Sequence, residues 1–235
     1  MDQIRDIRIF EADWPNEDYQ SMPQYIGQIY RFDGMDVMDV IQRMLFILRS
    51  ELFGFEGFHH LYLNYTPLLP HGQMQAAKRT YSREDSWFRF VDIGCEVETF
   101  NSWHFEKKTE FIVSTMMNAV LLMTREADRS VAAECIREVL EKGENLLLPY
   151  KRKENTDYDV EIQLRITDEP DFIPVILISR KNGEIVCKKE LRGYGRDEFI
   201  CQFRSVSIGK ASIRISPRRN YDSEFYGLKP IKLSW

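Results

Sequence analysis

Residues 179–186 read SRKNGEIV, and this short stretch carries the clearest local signal in the chain. It places Asn182 and Gly183 between two runs that are typical of β-strands. An Asn-Gly pair in that position predicts a two-residue type I′ hairpin, because both turn residues need a positive φ angle there, which Asn and Gly tolerate best. The stretch therefore predicts an antiparallel pair of strands in this part of the chain.

Strand-like segments continue on both sides of the hairpin. They read, in order, LLLPYKRK, DYDVEIQLRITD, IPVILISRK, EIVCKKEL, EFICQFRSVSI, ASIRIS and LKPIKLSW. The segment GYGRDE at 193–198 has two glycines but lies between predicted strands, so it predicts a turn and not a phosphate-binding loop before a helix. Residues 145–235 therefore predict a mostly antiparallel β domain or subdomain.

The first part of the chain mixes predicted strands with about three helices. IRDIRIF, residues 4–10, predicts a first strand, and WFRFVDIGCEVETF, residues 87–100, predicts one or two more. Apolar residues at helical spacing begin after Asp36, and Gly54 and Gly57 are expected to end that first helix.

Two further helices are expected before residue 144. The earlier one begins at Asn101 or Ser102 and runs to about Met123. Its middle is apolar nearly all round, so it is expected to be the most buried helix. The later one begins at Asp128 or Ser130 and has one apolar face.

The fold class predicted from these elements is α+β. Residues 1–144 form an acidic α+β domain or subdomain and residues 145–235 a mildly basic, antiparallel β one, unless the two make up one continuous domain. A chain of 235 residues, 43% of them hydrophobic, can bury a core without disulfides or a metal. The four cysteines include no CxxC pair and no zinc spacing, which favours buried, reduced thiols.

The sequence carries no signal for export or membrane insertion. The N-terminus is charged from residue 2 and lacks the apolar region of a signal peptide. The longest apolar run, residues 111–124, is shorter than the roughly 20 residues that cross a bilayer. A cytoplasmic protein with no membrane partner is expected.

Charge is divided unevenly along the chain. Residues 1–144 hold 15 Lys and Arg against 24 Asp and Glu, whereas residues 145–235 hold 17 against 13. The acidic excess is concentrated in residues 11–39, where Trp and Tyr are interleaved with carboxylates.

Carboxylates steer a basic protein towards a surface and flat aromatic rings anchor it, so this acidic segment predicts a site for a basic protein partner. The predicted contact residues are Asp13, Trp14, Glu17, Asp18, Tyr19, Asp33 and Asp36. The alternative is a solvated acidic loop whose aromatic rings lie in the core.

The basic half offers a second kind of partner. Lys and Arg cluster at residues 151–153, 188–189 and 218–219, with aromatic residues near some of them. A nucleic-acid-binding sheet uses such clusters, but acidic residues are interspersed and the net excess is small, which favours a solvated strand face. Nucleic acid is therefore an unfavoured partner, and the acidic segment would repel it.

Three of the four histidines lie within residues 58–72. If the first half of this stretch is extended, His59 and His60 point to opposite faces of the strand and cannot share a metal ion. His60 and Tyr62 then lie on a polar, aromatic face, and His71 follows a turn that can return it to that face. These residues predict an alternative pocket for an enzyme of unrecognised type, although no HxH or HExxH motif specifies one.

His104 is the remaining histidine and joins the alternative pocket. Its expected place is the first turn of the second predicted helix, where the helix dipole disfavours a charged ring. No serine or cysteine lies in a nucleophile motif such as GxSxG. A structural role is the simpler interpretation, and the sequence assigns no metal, no cofactor and no catalytic residue.

No motif in the sequence identifies a family. The leading hypothesis is a non-catalytic protein-binding protein, most concretely a bacterial-type immunity protein that neutralises a basic toxin or nuclease domain through its acidic aromatic surface. The alternatives are an enzyme with a pocket near His60 and His71, and a nucleic-acid-binding module that uses the C-terminal sheet.

Overall fold

The fold is α+β, as predicted, and is known from a computed structural model that describes residues 2–13, 23–33, 37–77, 87–167 and 171–235. The chain divides into two compact units, residues 1–141 and residues 142–235. Helices and a mixed sheet form the first unit, and antiparallel sheets dominate the second. Among the described residues, no helix combines the length and the apolar character that crossing a membrane requires.

The first unit is built on a five-stranded sheet with helices beside it. Its elements are β1 (Asp2–Gln3), β2 (Asp6–Glu11), β3 (Gln24–Tyr25), α1 (Met38–Ser50), β4 (Gly54–Phe55), β5 (His60–Thr66), β6 (Met74–Ala76), β7 (Phe88–Gly94), α2 (Val97–Ser102), α3 (Phe105–Met123) and α4 (Arg129–Lys142). The sheet order is β3-β2-β5-β7-β6, with the three central strands parallel and both edge strands antiparallel. α1 supplies the crossover that the parallel pair β2 and β5 requires.

Both faces of the central strand β5 are buried, which is typical of a parallel strand inside a layered fold. On one face an aromatic cluster contains Phe10, Tyr62, Phe88 and Phe90. On the other face the Tyr65 hydroxyl shares a hydrogen bond of 2.5 Å with the hydroxyl of Thr115 on α3. The sheet thus holds α3 in place through a buried polar contact.

The second unit contains a four-stranded and a three-stranded antiparallel sheet. Its elements are β8 (Leu148–Glu154), β9 (Tyr158–Ile166), β10 (Phe172–Arg180), β11 (Ile185–Glu190), α5 (Arg196–Gln202), β12 (Ser205–Ile208), β13 (Ser212–Ser216), α6 (Tyr221–Phe225) and β14 (Ile231–Ser234). Strands β8 to β11 pair in chain order, and β12 to β14 do the same. The alternating burial of β9 supplies the core: Val160, Ile162, Leu164 and Ile166 are all buried.

The hairpin at Asn182 and Gly183 is confirmed, but the predicted type I′ turn is wrong. β10 and β11 pair across it, and Gly183 has a φ of +89°. Among the described non-glycine residues only Leu52 has a positive φ, so Asn182 does not adopt the angle that a type I′ turn needs. The Gly183 N–H donates to the Arg180 carbonyl (2.9 Å) and the Arg180 N–H donates to the Glu184 carbonyl (2.8 Å). These bonds close a three-residue loop with glycine at its left-handed position.

Two segments predicted as strands are helical. Residues 97–100 belong to α2, and residues 198–202 belong to α5, which begins at Arg196. α5 therefore begins within the GYGRDE segment, which predicted a turn with no helix after it. Asp197 and Glu198 lie in its first turn, where carboxylates complement the helix dipole and oppose a bound anion.

The helices of the first unit also depart from the predictions. α1 ends at Ser50, before Gly54, because Leu52 takes a left-handed conformation with a φ of 54°. A break at Trp103 and His104 separates α2 from α3. α3 is not the most buried helix, since more of the side chains of α1 are buried. Apolar residues of α3 such as Phe105 instead lie on a face of the helix that is partly exposed to solvent.

Candidate functional site

A groove runs between α3 and α4 on the surface of the first unit. Its α3 side is a row of residues spaced four apart, and this spacing places side chains one above the other along a helix. Its α4 side is supplied by two residues with the same spacing. The groove has a volume of about 610 Å³ and the two rows are Phe105, Thr109, Val113, Met117 and Leu121 on α3 and Ile136 and Leu140 on α4.

The groove is long enough to hold a helix from another protein. The α3 row covers residues 105–121, which is roughly 24 Å at the helical rise of 1.5 Å per residue. Phe105 is 53% exposed and Leu140 is 59% exposed. A continuous apolar strip with such exposed rims is typical of a surface that a partner covers.

Carboxylates border the apolar row. A second row on α3, also spaced by four, consists of Glu106, Glu110, Ser114 and Asn118. Of the described residues that line the groove, only Glu106 and Glu110 are ionisable, and both are exposed. Within the part of the chain that the structure describes, neither forms an ion pair. The groove therefore combines an apolar floor with an uncompensated acidic rim.

The lysines of α3 are engaged away from the groove. The Lys107 ammonium lies over the Trp103 ring, 4.5 Å from its centroid. The Lys108 ammonium donates to the carbonyl oxygen of Arg31 (2.9 Å). Because neither lysine lines the groove, neither places positive charge in it.

A short 3₁₀ turn, Glu126–Asp128, connects α3 to α4, and α4 forms the other wall of the groove. Arg125 spans this turn, and its Nε donates to a carboxylate oxygen of Asp128 (2.8 Å). α4 buries Ile136 and Val139 against its unit, which leaves Leu140 at the rim of the groove.

Thr109 adds a polar feature to the apolar floor. Its hydroxyl is buried and has no hydrogen-bond partner among the described residues. The hydroxyl of Thr115, on the same helix, instead donates to the Phe111 carbonyl four residues back (2.8 Å). A buried hydroxyl without a partner costs free energy, so Thr109 is a locally unfavourable element of the groove wall.

The acidic segment predicted from the sequence meets the groove at one end. The ring of Phe32 stacks on that of Phe105, with centroids 6.3 Å apart, and Asp33 follows directly and is exposed. Asp13 is exposed as well. The other predicted contact residues, Trp14, Glu17, Asp18, Tyr19 and Asp36, lie outside the described residues.

Other residues of the acidic segment are internal, so its acidic surface is smaller than the sequence indicates. The Glu11 carboxylate is buried and accepts hydrogen bonds of 2.8 to 3.1 Å from four successive backbone N–H groups, those of Gly27, Gln28, Ile29 and Tyr30. Asp39 is buried in an ion pair with Arg43. Two aromatic residues of the segment, Tyr30 and Phe32, are buried in the core.

The alternative pocket is not assembled as a single site. His60 begins β5 and lies opposite Phe88, whereas His71 accepts a weak hydrogen bond from the Glu96 N–H (3.4 Å) beyond the far end of β7. The seven residues of β5 separate these two ends by roughly 20 Å. His104 is exposed and precedes α3, where the sequence predicted a place in the first helical turn.

His59 and His60 are in contact, which corrects the prediction that they point apart. His59 precedes β5, so strand alternation does not govern it; the two Nδ1 atoms share a hydrogen bond and the ring centroids are 4.5 Å apart. The ring of Trp87 meets that of His60 edge to face at 4.6 Å. Burial, followed by the neighbouring His59, lowers the pKa of His60 to about 4. The cluster thus holds His60 neutral at neutral pH.

The described residues form no metal-binding cluster, and comparison with known proteins gives no relative for this chain. Among the described residues, no three His, Cys, Asp or Glu side chains are arranged to hold a metal ion. The four cysteines are free thiols, three of them buried. No protein family, curated protein or solved structure matches this chain.

The sequence of α3 carries a signal for the groove. The apolar positions of α3 continue around the helix, a pattern that predicts the most buried helix. The same pattern is produced by a helix that packs one face inward and offers another to a partner. The paired rows at four-residue spacing, one apolar from Phe105 and one acidic from Glu106, are the specific feature.

Proposed function

We propose that this chain is a non-catalytic protein-binding protein that captures a basic partner in the groove between α3 and α4. The observation that carries the proposal is the apolar floor bordered by Glu106 and Glu110, which form no ion pair within the described residues. A partner helix with an apolar stripe and flanking Lys or Arg fits this surface. Its stripe fills the floor, and its cations meet the carboxylates.

The most concrete form of this proposal is a cytoplasmic, immunity-type inhibitor of a basic toxin or nuclease domain. Such an inhibitor covers a basic surface and needs apolar anchors for affinity and carboxylates for rapid encounter. The exposed Asp13 and Asp33 add negative charge to the same unit, and Phe32 connects the latter to the groove. Trp14, Glu17, Asp18, Tyr19 and Asp36 remain proposed contacts of the same partner.

Protein capture with matched variants tests the binding part. Wild-type protein, Glu106→Lys/Glu110→Lys and the control Glu56→Lys/Glu98→Lys are immobilised and exposed to cell lysate at low and high salt. The control places the same charge change on exposed residues outside the groove. We expect a basic protein that wild type and control retain, that the groove variant loses, and that high salt weakens. Identical sets of retained proteins on all three would contradict the proposal.

Inhibition of the captured partner is measured in a separate assay. The retained protein is assayed for its activity, nuclease activity first, with increasing amounts of this chain. Complete suppression at a one-to-one ratio supports an immunity-type role. Tight binding that leaves the activity unchanged contradicts inhibition, although it leaves the protein-binding role in place.

A further inference from the structure

The second unit separates its charges between its two sheets. In the four-stranded sheet, acidic residues are matched with bases in ion pairs: Lys181 with Glu154 (2.5 Å), Arg165 with Glu190 (2.9 Å), Arg180 with Glu184 (2.8 Å), and Arg152 with Asp159. Residues 203–235 hold seven Lys and Arg against two Asp and Glu. All seven are exposed, and none forms an ion pair with a described residue: Arg204, Lys210, Arg214, Arg218, Arg219, Lys229 and Lys232.

The outer face of the three-stranded sheet consists of serines and basic residues. Side chains alternate across a strand, and Ile213, Ile215 and Leu233 point to the buried side. The strand register places the remaining residues together on the other side, as Ser205 opposite Ser216, Ser207 opposite Arg214, Arg214 opposite Lys232, and Ser212 opposite Ser234. This serine-basic face has seven side chains and no carboxylate. Its hydroxyl donors and cations are the groups that bind phosphate oxygens.

A second group of cations lies at one end of this face. The Lys151 ammonium donates to the carbonyl oxygens of Phe203 and Arg204, each at 2.7 Å. The backbone N–H of Arg218 donates to the Cys201 carbonyl (2.8 Å), which brings Arg218 to the same end of the face. Burial, followed by the charges of Arg204 and Arg218, lowers the pKa of Lys151. Three neighbouring cations repel one another, and a bound anion relieves that repulsion.

Exposed aromatic rings lie in the connection that leaves the three-stranded sheet at this same end, where Ser205 pairs with Ser216. The connection from β13 to β14 contains α6, where Tyr221 is 76% exposed and Phe225 is 71% exposed. Their rings stack with centroids 6.3 Å apart, and Tyr226 meets Phe225 edge to face at 5.3 Å. Base stacking on aromatic rings combined with a positively charged surface is how proteins bind single strands without reading their sequence.

Two acidic residues accompany this surface, and both lie on α6. Asp222 accepts a hydrogen bond from the Asn220 side-chain amide (2.9 Å), so it is engaged within the turn that starts the helix. Glu224 is exposed. Neither belongs to the serine-basic face, which leaves that face free of negative charge.

We propose that the second unit binds single-stranded nucleic acid, with the phosphates on the serine-basic face and the bases on the aromatic rings of α6. This site is separate from the groove of the first unit and does not depend on the function proposed for it. The acidic residues of strands β8 to β11, which helped to make nucleic acid an unfavoured partner, are paired with bases within the four-stranded sheet. The partner class therefore follows from the arrangement of the charges and not from their total.

Binding of labelled oligonucleotides to the full chain tests this proposal. The probes are fluorescein-labelled (dT)20 and (U)20, with a 20-base-pair duplex for comparison, measured by anisotropy from low to moderate salt. Three variants are compared with wild type: Arg214→Ser/Lys232→Ser, Tyr221→Ala/Phe225→Ala, and the control Lys188→Ser/Lys189→Ser. The control removes two exposed charges from β11 in the same unit, so its net charge equals that of the first variant.

The variants are expected to separate the two kinds of contact. Arg214→Ser/Lys232→Ser should weaken single-strand binding about tenfold and reduce the salt slope by roughly 1.4, which is the value for two phosphate contacts. Tyr221→Ala/Phe225→Ala should weaken binding roughly fivefold or more at an unchanged slope. The control should stay within about twofold of wild type.

Three results overturn the proposal. The first is no binding of either single strand at low salt. The second is an equal loss for the control and for Arg214→Ser/Lys232→Ser, which means that only net charge matters. The third is duplex binding as tight as single-strand binding with no effect of the aromatic substitutions. Because all substituted residues are exposed, circular dichroism should show unchanged folding in every variant.

Discussion

The ring of Phe32 stacks on that of Phe105, with an interplanar angle of 17°. Phe32 is buried and belongs to the acidic N-terminal segment, whereas Phe105 is half exposed and opens the apolar row of α3. This contact makes the segment that carries Asp33 and the groove between α3 and α4 parts of one surface. The surface is therefore built from elements that are more than 70 residues apart in sequence.

Glu11 is expected to be essential for the stability of the first unit. Its buried carboxylate accepts four backbone N–H groups of residues 27–30, and Glu11→Ala leaves these donors without a partner. We expect a loss of at least about 3 kcal/mol in the free energy of unfolding. Urea denaturation measures it. The exposed Asp13→Ala should change stability by no more than about 0.5 kcal/mol, and equal losses for both would refute the structural role of Glu11.

His60 is expected to make the protein sensitive to acid. Its pKa is lowered to about 4 from the 6.5 of an unfolded chain, mainly by burial. Between these two pH values the unfolded chain binds more protons than the folded one, so stability falls as the pH falls through this window. The ring is partly exposed, so the effect should be on the order of 1 kcal/mol.

NMR titration of the His60 ring and urea denaturation at pH 7 and pH 4.5 check this expectation. His60→Gln removes the titrating group and should flatten the pH dependence. A His60 pKa near 6.5, or an unchanged pH dependence in His60→Gln, would show that the ring is not held neutral by its surroundings.

Gly183 is expected to be needed for the hairpin between β10 and β11. Its φ of +89° is unfavourable for a residue with a Cβ atom, although no neighbouring atom would clash with one. Gly183→Ala should therefore cost about 1 kcal/mol, and Gly183→Asn less, because Asn tolerates the left-handed region. Thermal unfolding compares the two. A larger loss for Asn than for Ala would contradict the loop conformation described above.

The sequence was sufficient for elements that depend on local signals. The alternation of Val160, Ile162 and Leu164 predicts β9, and the Asn-Gly pair predicts the hairpin because a tight connection needs glycine. The sequence was not sufficient for α5, since Phe199 and Cys201 suit a strand as well as a helix and only their tertiary contacts decide between the two.

The surfaces that we propose as binding sites were harder to predict, because a sequence does not show which side chains remain exposed after folding. An apolar row from Phe105 to Leu121 looks the same in sequence whether it is buried or open. Likewise, the modest positive charge of residues 145–235 does not reveal that the acids of the four-stranded sheet are paired with bases, whereas the strands of the three-stranded sheet carry basic residues and no acids. Glu11 contributes to the acidic excess of residues 11–39, yet its carboxylate accepts hydrogen bonds from backbone N–H groups in the core.

Peptide binding with a charge reversal tests the groove most directly. The probe is an amphipathic helical peptide of about 16 residues, with leucines on one face and lysines beside them, and a matched peptide carries glutamates at the lysine positions. We expect wild type to bind the lysine peptide about tenfold more tightly than the glutamate peptide. Glu106→Lys/Glu110→Lys should reverse that preference, while Glu56→Lys/Glu98→Lys should keep it. If the groove variant keeps the wild-type preference, the groove does not select a basic partner.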